Sequence, residues 1–289
     1  MTRTWFITGT SSGFGRHLTE QLLARGDRVA ATARRPESLD DLAARYGERL
    51  WRARLDVTDT TALREVVDHA FTDLGRIDVV VSNAGYGLFG AAEELTDEQI
   101  DRQIATNLTA PIQLVRAATP HLRRQGGGRY IQIASVGGQV AFPAMSLYHA
   151  TKWGIEGFWE SAVAELAPFG IDVTVVEPGV ARTGFAADSS VLGAPLPEYA
   201  DGPSGRMRGV LSGDLPPLPA PGDPAKIAAA IIASADRAEA PFRLTLGSDA
   251  YALATAALRG RLEALEAGRS LAHSTDADDF TAPAAPAGQ

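Results

Sequence analysis

Short apolar runs recur along the chain and alternate with longer stretches in which apolar positions return every three or four residues. The short runs, bounded by glycine, proline or small polar residues, predict strands at 4–8, 28–33, 50–55, 77–82, 129–134, 172–177 and 242–246. Between them the helical period dominates. Phe14, Leu18 and Leu22 fall on one face of a first helix that Gly26 closes. Pro36 opens a second helix carrying Leu39 and Leu42. A third runs from Asp59 with Leu63, Val66, Val67 and Phe71 on its apolar side. Two long helices are predicted at 96–124 and 145–169, and a last one at 249–268. Strands that alternate with helices build a parallel sheet, because a parallel connection needs a crossover and the crossover is right-handed. The pattern predicts an α/β fold: a single doubly wound domain over residues 1–275, with a seven-stranded parallel sheet and helices on both faces. Its ligand crevice is expected beyond the carboxyl ends of the strands.

The alternation breaks at 184–223. This segment holds seven prolines together with Phe185, Val191, Leu192, Leu196, Tyr199, Met207, Leu211 and Leu215. A connection of this length inside a compact domain is commonly a functional lid. Its apolar content predicts a partly ordered lid over a substrate. Residues 276–289 combine acids with Ala, Pro and Gly, and are predicted to be a disordered tail.

Composition narrows the partners. The hydrophobic fraction of 45% and charged fraction of 21% are ordinary for a protein with a sizeable core. A formal net charge of −8, without a long Lys/Arg run, argues against nucleic acid and anionic membrane as partners. The absence of cysteine removes disulfides and thiolate chemistry, and fits a reducing, cytoplasmic compartment. The N-terminus reads directly as a first strand, with too few apolar residues for a signal peptide.

The first strand runs into Gly9-Thr10-Ser11-Ser12-Gly13-Phe14-Gly15 and then into a helix. Glycines at such a junction let a pyrophosphate approach the backbone, and the helix N-terminus offers free N–H groups. The cofactor-binding candidates here are Gly9, Ser11, Ser12, Gly13, Phe14 and Gly15. The same residues match the Gly-x-Ser-x-Gly elbow of hydrolases, but that elbow normally follows several strands. His17, His69, His121, His149 and His273 are scattered and offer no distinctive base for a serine. The second strand ends at Ala33 and is followed by Arg34 and Arg35, where dinucleotide domains that take NAD usually carry an acid. A guanidinium in that place suits a ribose 2′-phosphate, so NADP(H) is expected in preference to NAD(H), with Arg34 as the clamp.

Tyr148 and Lys152 stand four residues apart, with Ser135 upstream. On a helix the pair shares a face. A phenol is a weak acid with an ordinary pKa near 10. A cation at about 4 Å supplies roughly 4 kcal/mol at an effective dielectric of about 20, enough to lower it by about three units. Lys152 is therefore expected to make Tyr148 more acidic.

Thr8-Gly9-x-x-x-Gly13-x-Gly15, Asp56-Val57, Asn83-Ala84-Gly85, Asn107, Ser135, Tyr148-x-x-x-Lys152 and Pro178-Gly179 occur in this order. Over most of its length the chain resembles the short-chain dehydrogenases/reductases. The resemblance implies a Rossmann domain and an oxidoreductase that interconverts a secondary alcohol and a carbonyl with a nicotinamide cofactor. It implies Tyr148 as general acid/base, Lys152 on the nicotinamide ribose, Ser135 on the substrate oxygen, and Asn107 holding a water that links Lys152 to solvent. Asp56 and Val57 would hold the adenine, Asn83, Ala84 and Gly85 would flank the ribose, and Val180 and Thr183 would meet the carboxamide. Ser82 stands where the family often has a further Asn. No metal is implied.

Tyr86, Leu88, Phe89, Gln139, Phe142 and Met145 are candidates for the substrate pocket. With the apolar lid they favour an uncharged carbonyl or alcohol over a sugar phosphate. Within the family the chain is similar to members acting on steroid- or retinoid-like carbonyls, and association through the long helices would give a homodimer or homotetramer. A dinucleotide-binding regulator without turnover is the alternative function, although such proteins typically lose the Tyr or the Lys.

Overall fold

A computed structural model describes residues 2–185, 189–277 and 279–280 of the chain. Seven strands form one parallel sheet: β1 (Thr4–Thr8), β2 (Arg28–Ala33), β3 (Leu50–Arg54), β4 (Val79–Ser82), β6 (Gly128–Ile133), β7 (Ile171–Pro178) and β9 (Arg243–Leu246). Their order across the sheet is β3-β2-β1-β4-β6-β7-β9. The chain moves outward one way from β1 and then returns to build the other way from β4. That reversal opens a crevice beyond the carboxyl ends of β1 and β4.

Strand alternation sorts the core onto two faces. Trp5 and Ile7, Val29 and Ala31, Val79 and Val81, and Ile131 and Ile133 point to one side. There they meet Leu18 and Leu22 of α1 (Gly13–Arg25), Leu42 of α2 (Asp40–Tyr46) and Ile227 and Ile231 of α8 (Pro224–Asp236). Phe6, Ala30, Val80, Tyr130 and Val173 point to the other side. They pack on α3 (Thr60–Leu74), α5 (Ala110–Arg124) and α6 (Ser146–Leu166), with Trp159 of α6 wholly buried. Period-two residues divided between two helical layers are what a sheet covered on both faces requires. The doubly wound reading of the sequence holds.

Two details depart from the sequence reading. The helix expected at 96–124 is broken into α4 (Asp97–Ile104), a wider π-type turn at Ala105–Thr109, and α5. Pro111 has no N–H to give the carbonyl of Asn107, so the regular ladder fails there and the turn widens. The helix expected at 145–169 is regular only through Leu166 and ends in a 3-10 turn at Ala167–Phe169.

The described part of 184–223 is ordered. β8 (Ser190–Leu192) pairs in parallel with a short β5 (Gly87–Phe89), and α7 (Pro203–Ser212) follows. Of the predicted tail, all but 276–277 and 279–280 lies outside the described residues. The C-terminal α9 (Ser248–Ala267) leaves the sheet beside the loop after β6, where Val136 and Val140 pack on its Ala250 and Ala254.

Candidate active site

The turn after β1 is held against the turn after β4. Asn83 donates from Nδ2 to the carbonyls of Thr8, at 2.8 Å, and Gly9, at 2.9 Å. The Thr8 hydroxyl accepts from the N–H groups of Asn83 and Ala84. Gly15 is obligatory in this packing, because a Cβ there would lie 2.3 Å from the Gly9 carbonyl oxygen and 2.6 Å from Asn83 Nδ2. Gly9 has φ 71° and would put a Cβ 2.8 Å from Ala84 Cα. Ser12 precedes α1 in extended conformation with no side-chain cap on the first-turn N–H groups. The result is a glycine cradle at an uncapped helix N-terminus, where a phosphate fits. Gly13 faces Thr183, whose Cβ would be 3.9 Å from a Cβ on the glycine. The glycine turn therefore meets the loop after β7.

Around the cradle, Arg34 is exposed and makes no ion pair among the described residues. Asp56 Oδ1 accepts from the Thr58 N–H at 3.1 Å and hydroxyl at 2.7 Å. Partial burial pushes the Asp56 carboxyl up, but those hydrogen bonds and the charges of Arg102 and Arg34 outweigh it and leave it below its ordinary value. Val57 packs against the core layer of α3 and α5. The N–H of Val180 is donated to Asp249 Oδ2 at 2.7 Å, so this amide is already engaged by α9.

Ser135, Tyr148 and Lys152 converge beyond the end of β6. Ser135 Oγ accepts from Gly137 N–H at 3.0 Å, which fixes the loop in a tight turn. Tyr148 and Lys152 lie one turn apart on α6 and are 7% and 8% exposed. The Lys152 ammonium sits 5.6 Å from the centre of the Tyr148 ring and donates to the Ile133 carbonyl at 3.1 Å. Here the electrostatic expectation needs correcting. Burial pushes the Tyr148 phenol up to about 12, opposed by a hydrogen bond with Ser135, and Lys152 is not among the groups that lower it. Burial itself pulls Lys152 down to about 8, with Glu156 opposing. Desolvation outweighs the attraction between neighbours here.

Asn107 is buried and commits its side chain to Tyr86, accepting from the N–H at 3.1 Å and donating to the carbonyl at 2.8 Å. It thus braces the Asn83-Ala84-Gly85-Tyr86 turn and makes no side-chain hydrogen bond to Lys152 among the described residues.

The pocket residues divide. Leu88 and Phe89 are buried on β5, while Tyr86 and Met145 are half-buried and Phe142 is exposed. Gln139 has its side chain engaged away from Tyr148. Its amide donates to Glu177 at 3.0 Å and its carbonyl faces Arg261, because a buried acid nearby demands a donor.

Four further residues shape the site, of which His149 and Glu94 were given no role from the sequence. Phe185 stands edge-on to Tyr148 with ring centres 6.0 Å apart. His149 donates from Nδ1 to the Gly137 carbonyl at 2.8 Å and accepts from Phe142 N–H at 2.9 Å, clamping the Ser135 loop to α6. Burial lowers its pKa, so the neutral form that makes both bonds is favoured. Glu94, buried, accepts from Ala91 and Leu196 N–H groups and pairs with Arg208 at 3.1 Å, and Arg208 in turn donates to the Gly193 carbonyl. This latch ties the lid to the segment after β5. Adjacency of His149 to Tyr148 was the only available signal. The Glu94–Arg208 pair spans too much sequence to be read without the fold.

A doubly wound sheet with a glycine cradle at its switch point, and a Ser, Tyr and Lys set beside it, defines a nucleotide-dependent oxidoreductase. The profile of the short chain dehydrogenase family matches residues 3–191. This chain belongs to that family, whose members oxidise or reduce at an alcohol carbon. The chain is 37% identical over 253 residues to Oxidoreductase BOA17 of Botryotinia fuckeliana, covering 86% of this chain and 90% of that protein. A crystal structure of a short-chain dehydrogenase from Streptomyces avermitilis is 39% identical, with a TM-score of 0.87, over 95% of this chain and 98% of that one. ElxO, solved with NADP bound, is 26% identical with a TM-score of 0.68, over 85% of this chain and 97% of that one. Among the described residues no helix is long and apolar enough to cross a membrane.

Proposed function

We propose that the protein is an NADP(H)-dependent oxidoreductase that interconverts a ketone or aldehyde and the corresponding alcohol on a largely apolar substrate. The observation that carries this reading is the set of half-buried Ser135 with buried Tyr148 and Lys152 at the same edge of the sheet as the glycine cradle. The cradle at Gly9–Gly15 and the open N-terminus of α1 would hold the pyrophosphate. Asp56 keeps one carboxylate oxygen clear of Thr58 for the adenine amine, and Asn83, Ala84 and Gly85 would border a ribose. Thr183, opposite Gly13, would meet the nicotinamide end. A bound reduced nicotinamide supplies the hydride.

The chain's own residues supply the rest. Ser135 would hydrogen-bond the carbonyl oxygen and stabilise its developing charge. Tyr148 would give that oxygen a proton as general acid. Because burial holds its pKa near 12, the phenol is protonated at neutral pH, the form that carbonyl reduction needs. Lys152 would hold a ribose hydroxyl and stabilise the phenolate left behind. Asn107 would act on Lys152 through the turn it braces. Preference for NADP(H) rests on the unpaired Arg34, and ElxO's bound NADP is in keeping with it. An apolar substrate is supported by Leu88, Phe89, Met145, Phe142 and Phe185 around Tyr148. The substrate is small, and association into a homodimer or homotetramer through the long helices fits the same reading.

The test is direct. Purified protein is mixed with NADPH or NADH and a panel of ketones from cyclic aliphatic to fused-ring, with a phosphorylated sugar as control. Consumption of NADPH that rises with apolar substrate size supports the reading. Tight cofactor binding with no turnover on any carbonyl or alcohol would instead support the regulatory alternative.

A further inference from the structure

Lys152 is one of two lysines in the chain, and its ammonium is buried, whereas Lys226 is exposed on α8. One turn beyond Lys152, on the same face of α6, stands Glu156, only 4% exposed. Its Oε2 is held by Arg243. Its Oε1 is buried and has no hydrogen-bond partner among the described residues. Gly138, in the loop that carries Ser135, makes room for this carboxylate. A Cβ there would lie 2.7 Å from Glu156 Cγ and 3.0 Å from Oε1.

The surroundings are charged on every side. Arg243 of β9 reaches Glu156 and Glu160 of α6, and Glu177 of β7 at 2.5 Å. Glu177 also accepts from Thr245 at 2.8 Å and from Gln139 at 3.0 Å. The charged groups facing Glu156 are therefore Lys152 and Glu160 on α6, Glu177 on β7 and Arg243 on β9. Glu160 is more than half exposed and screened by solvent. That leaves two buried carboxylates, Glu156 and Glu177, and two cations, Arg243 and Lys152. The count balances with Glu156 ionised and Lys152 protonated, or with both neutral, so the two groups are linked in charge.

We propose that Glu156 is a positioning residue for the active-site ammonium: its carboxylate, shared with Arg243, is the counter-charge that keeps Lys152 protonated inside a buried site. The direction of each perturbation agrees. Burial lowers Lys152 and Glu156 opposes that loss, while burial and Glu177 raise Glu156 against the pull of Arg243 and Lys152. A buried cation is retained only where an opposite charge offsets its desolvation. The two charged ends make no direct contact, since Lys152 donates to the Ile133 carbonyl, so the interaction acts through space across one turn of α6. Calling Lys152 catalytic rests on the function proposed above, but the pairing with Glu156 does not.

With two lysines, carbon-13 labelling at the lysine ε-carbon gives two resonances, and exposed Lys226 is the internal reference. The Lys152 resonance is followed against pH in the full-length, cofactor-free protein. Glu156→Gln is expected to move its titration midpoint to lower pH by about one unit, and Glu156→Asp to leave it within about half a unit. If Glu156→Gln does not fold, Arg243→Gln serves instead. Removing that competing cation is expected to raise the Lys152 midpoint. A folded Glu156→Gln whose midpoint coincides with the parent's, or an unmoved midpoint in Arg243→Gln, overturns the proposal. The alkaline limb of kcat/KM is measured in parallel and should follow the midpoint. A shifted resonance in a protein without turnover would leave the pairing standing and remove only the enzymatic reading.

Discussion

Lys152 lies over the Tyr148 ring, 5.6 Å from its centre, yet donates its hydrogen bond to the Ile133 carbonyl. The two groups are neighbours without a direct bond between their polar ends. Each is dominated by its own burial, which raises the phenol and lowers the ammonium. A protonated acid and a destabilised cation thus lie side by side.

Stability should reveal that cost. Lys152 falls from 10.5 to about 8 on folding. Because the folded pKa is the lower one, the contribution to stability is present above the unfolded value and is lost as pH falls through about 8. Lys152→Met should therefore stabilise the fold at pH 7 by on the order of 1–3 kcal/mol, with the gain fading toward about pH 10. Urea unfolding at the two pH values checks this. A variant less stable than the parent at pH 7 would contradict it.

Arg34 should discriminate between the two dinucleotides. Removing a guanidinium that binds a phosphate forfeits roughly 1.5–3 kcal/mol, or about ten- to a hundredfold in affinity. Arg34→Ser should lose that much for NADPH and change NADH binding less than threefold, measured by fluorescence titration. Equal losses would dismiss the phosphate clamp.

The lid should loosen when its latch is cut. Glu94 receives two backbone N–H groups and the Arg208 guanidinium. Glu94→Ala leaves both amides unsatisfied and removes the counter-charge of Arg208, a loss on the order of 3 kcal/mol. Hydrogen exchange should rise sharply across residues 189–199 and stay unchanged in β1 and β4. KM for an apolar ketone should rise more than kcat falls. Protection that drops uniformly through the protein would make Glu94 a general core residue and not a latch.

Much of this was legible before the fold was seen, and the reason is physical. Trp5, Phe6 and Ile7 alternate between two buried faces, so their strand is written in composition as well as period. The cradle was legible because Gly9 and Gly15 admit no other residue at their contacts. The short pairing of Gly87–Phe89 with Ser190–Leu192 was not, since three residues carry no period and their partner lies far along the chain. The bond from Gln139 to Glu177 was not legible either, since the two lie far apart in sequence. The electrostatics of Tyr148 and Lys152 were misjudged for a related reason: spacing along a helix reports proximity but not burial, and burial decided the sign. Glu156 illustrates the same limit. Its place one turn after Lys152 was visible, but the vacancy at Gly138 and the reach of Arg243 belong to the fold.

The account stands on Tyr148 as the proton donor, and one substitution isolates it. Tyr148→Phe keeps the ring against Phe185 and removes only the hydroxyl. With NADPH and the best ketone of the panel, turnover should fall by about three orders of magnitude, within the usual range for a lost general acid. NADPH binding, followed by fluorescence, should stay within about threefold of the parent. Undiminished turnover in a variant that still binds NADPH would contradict the account.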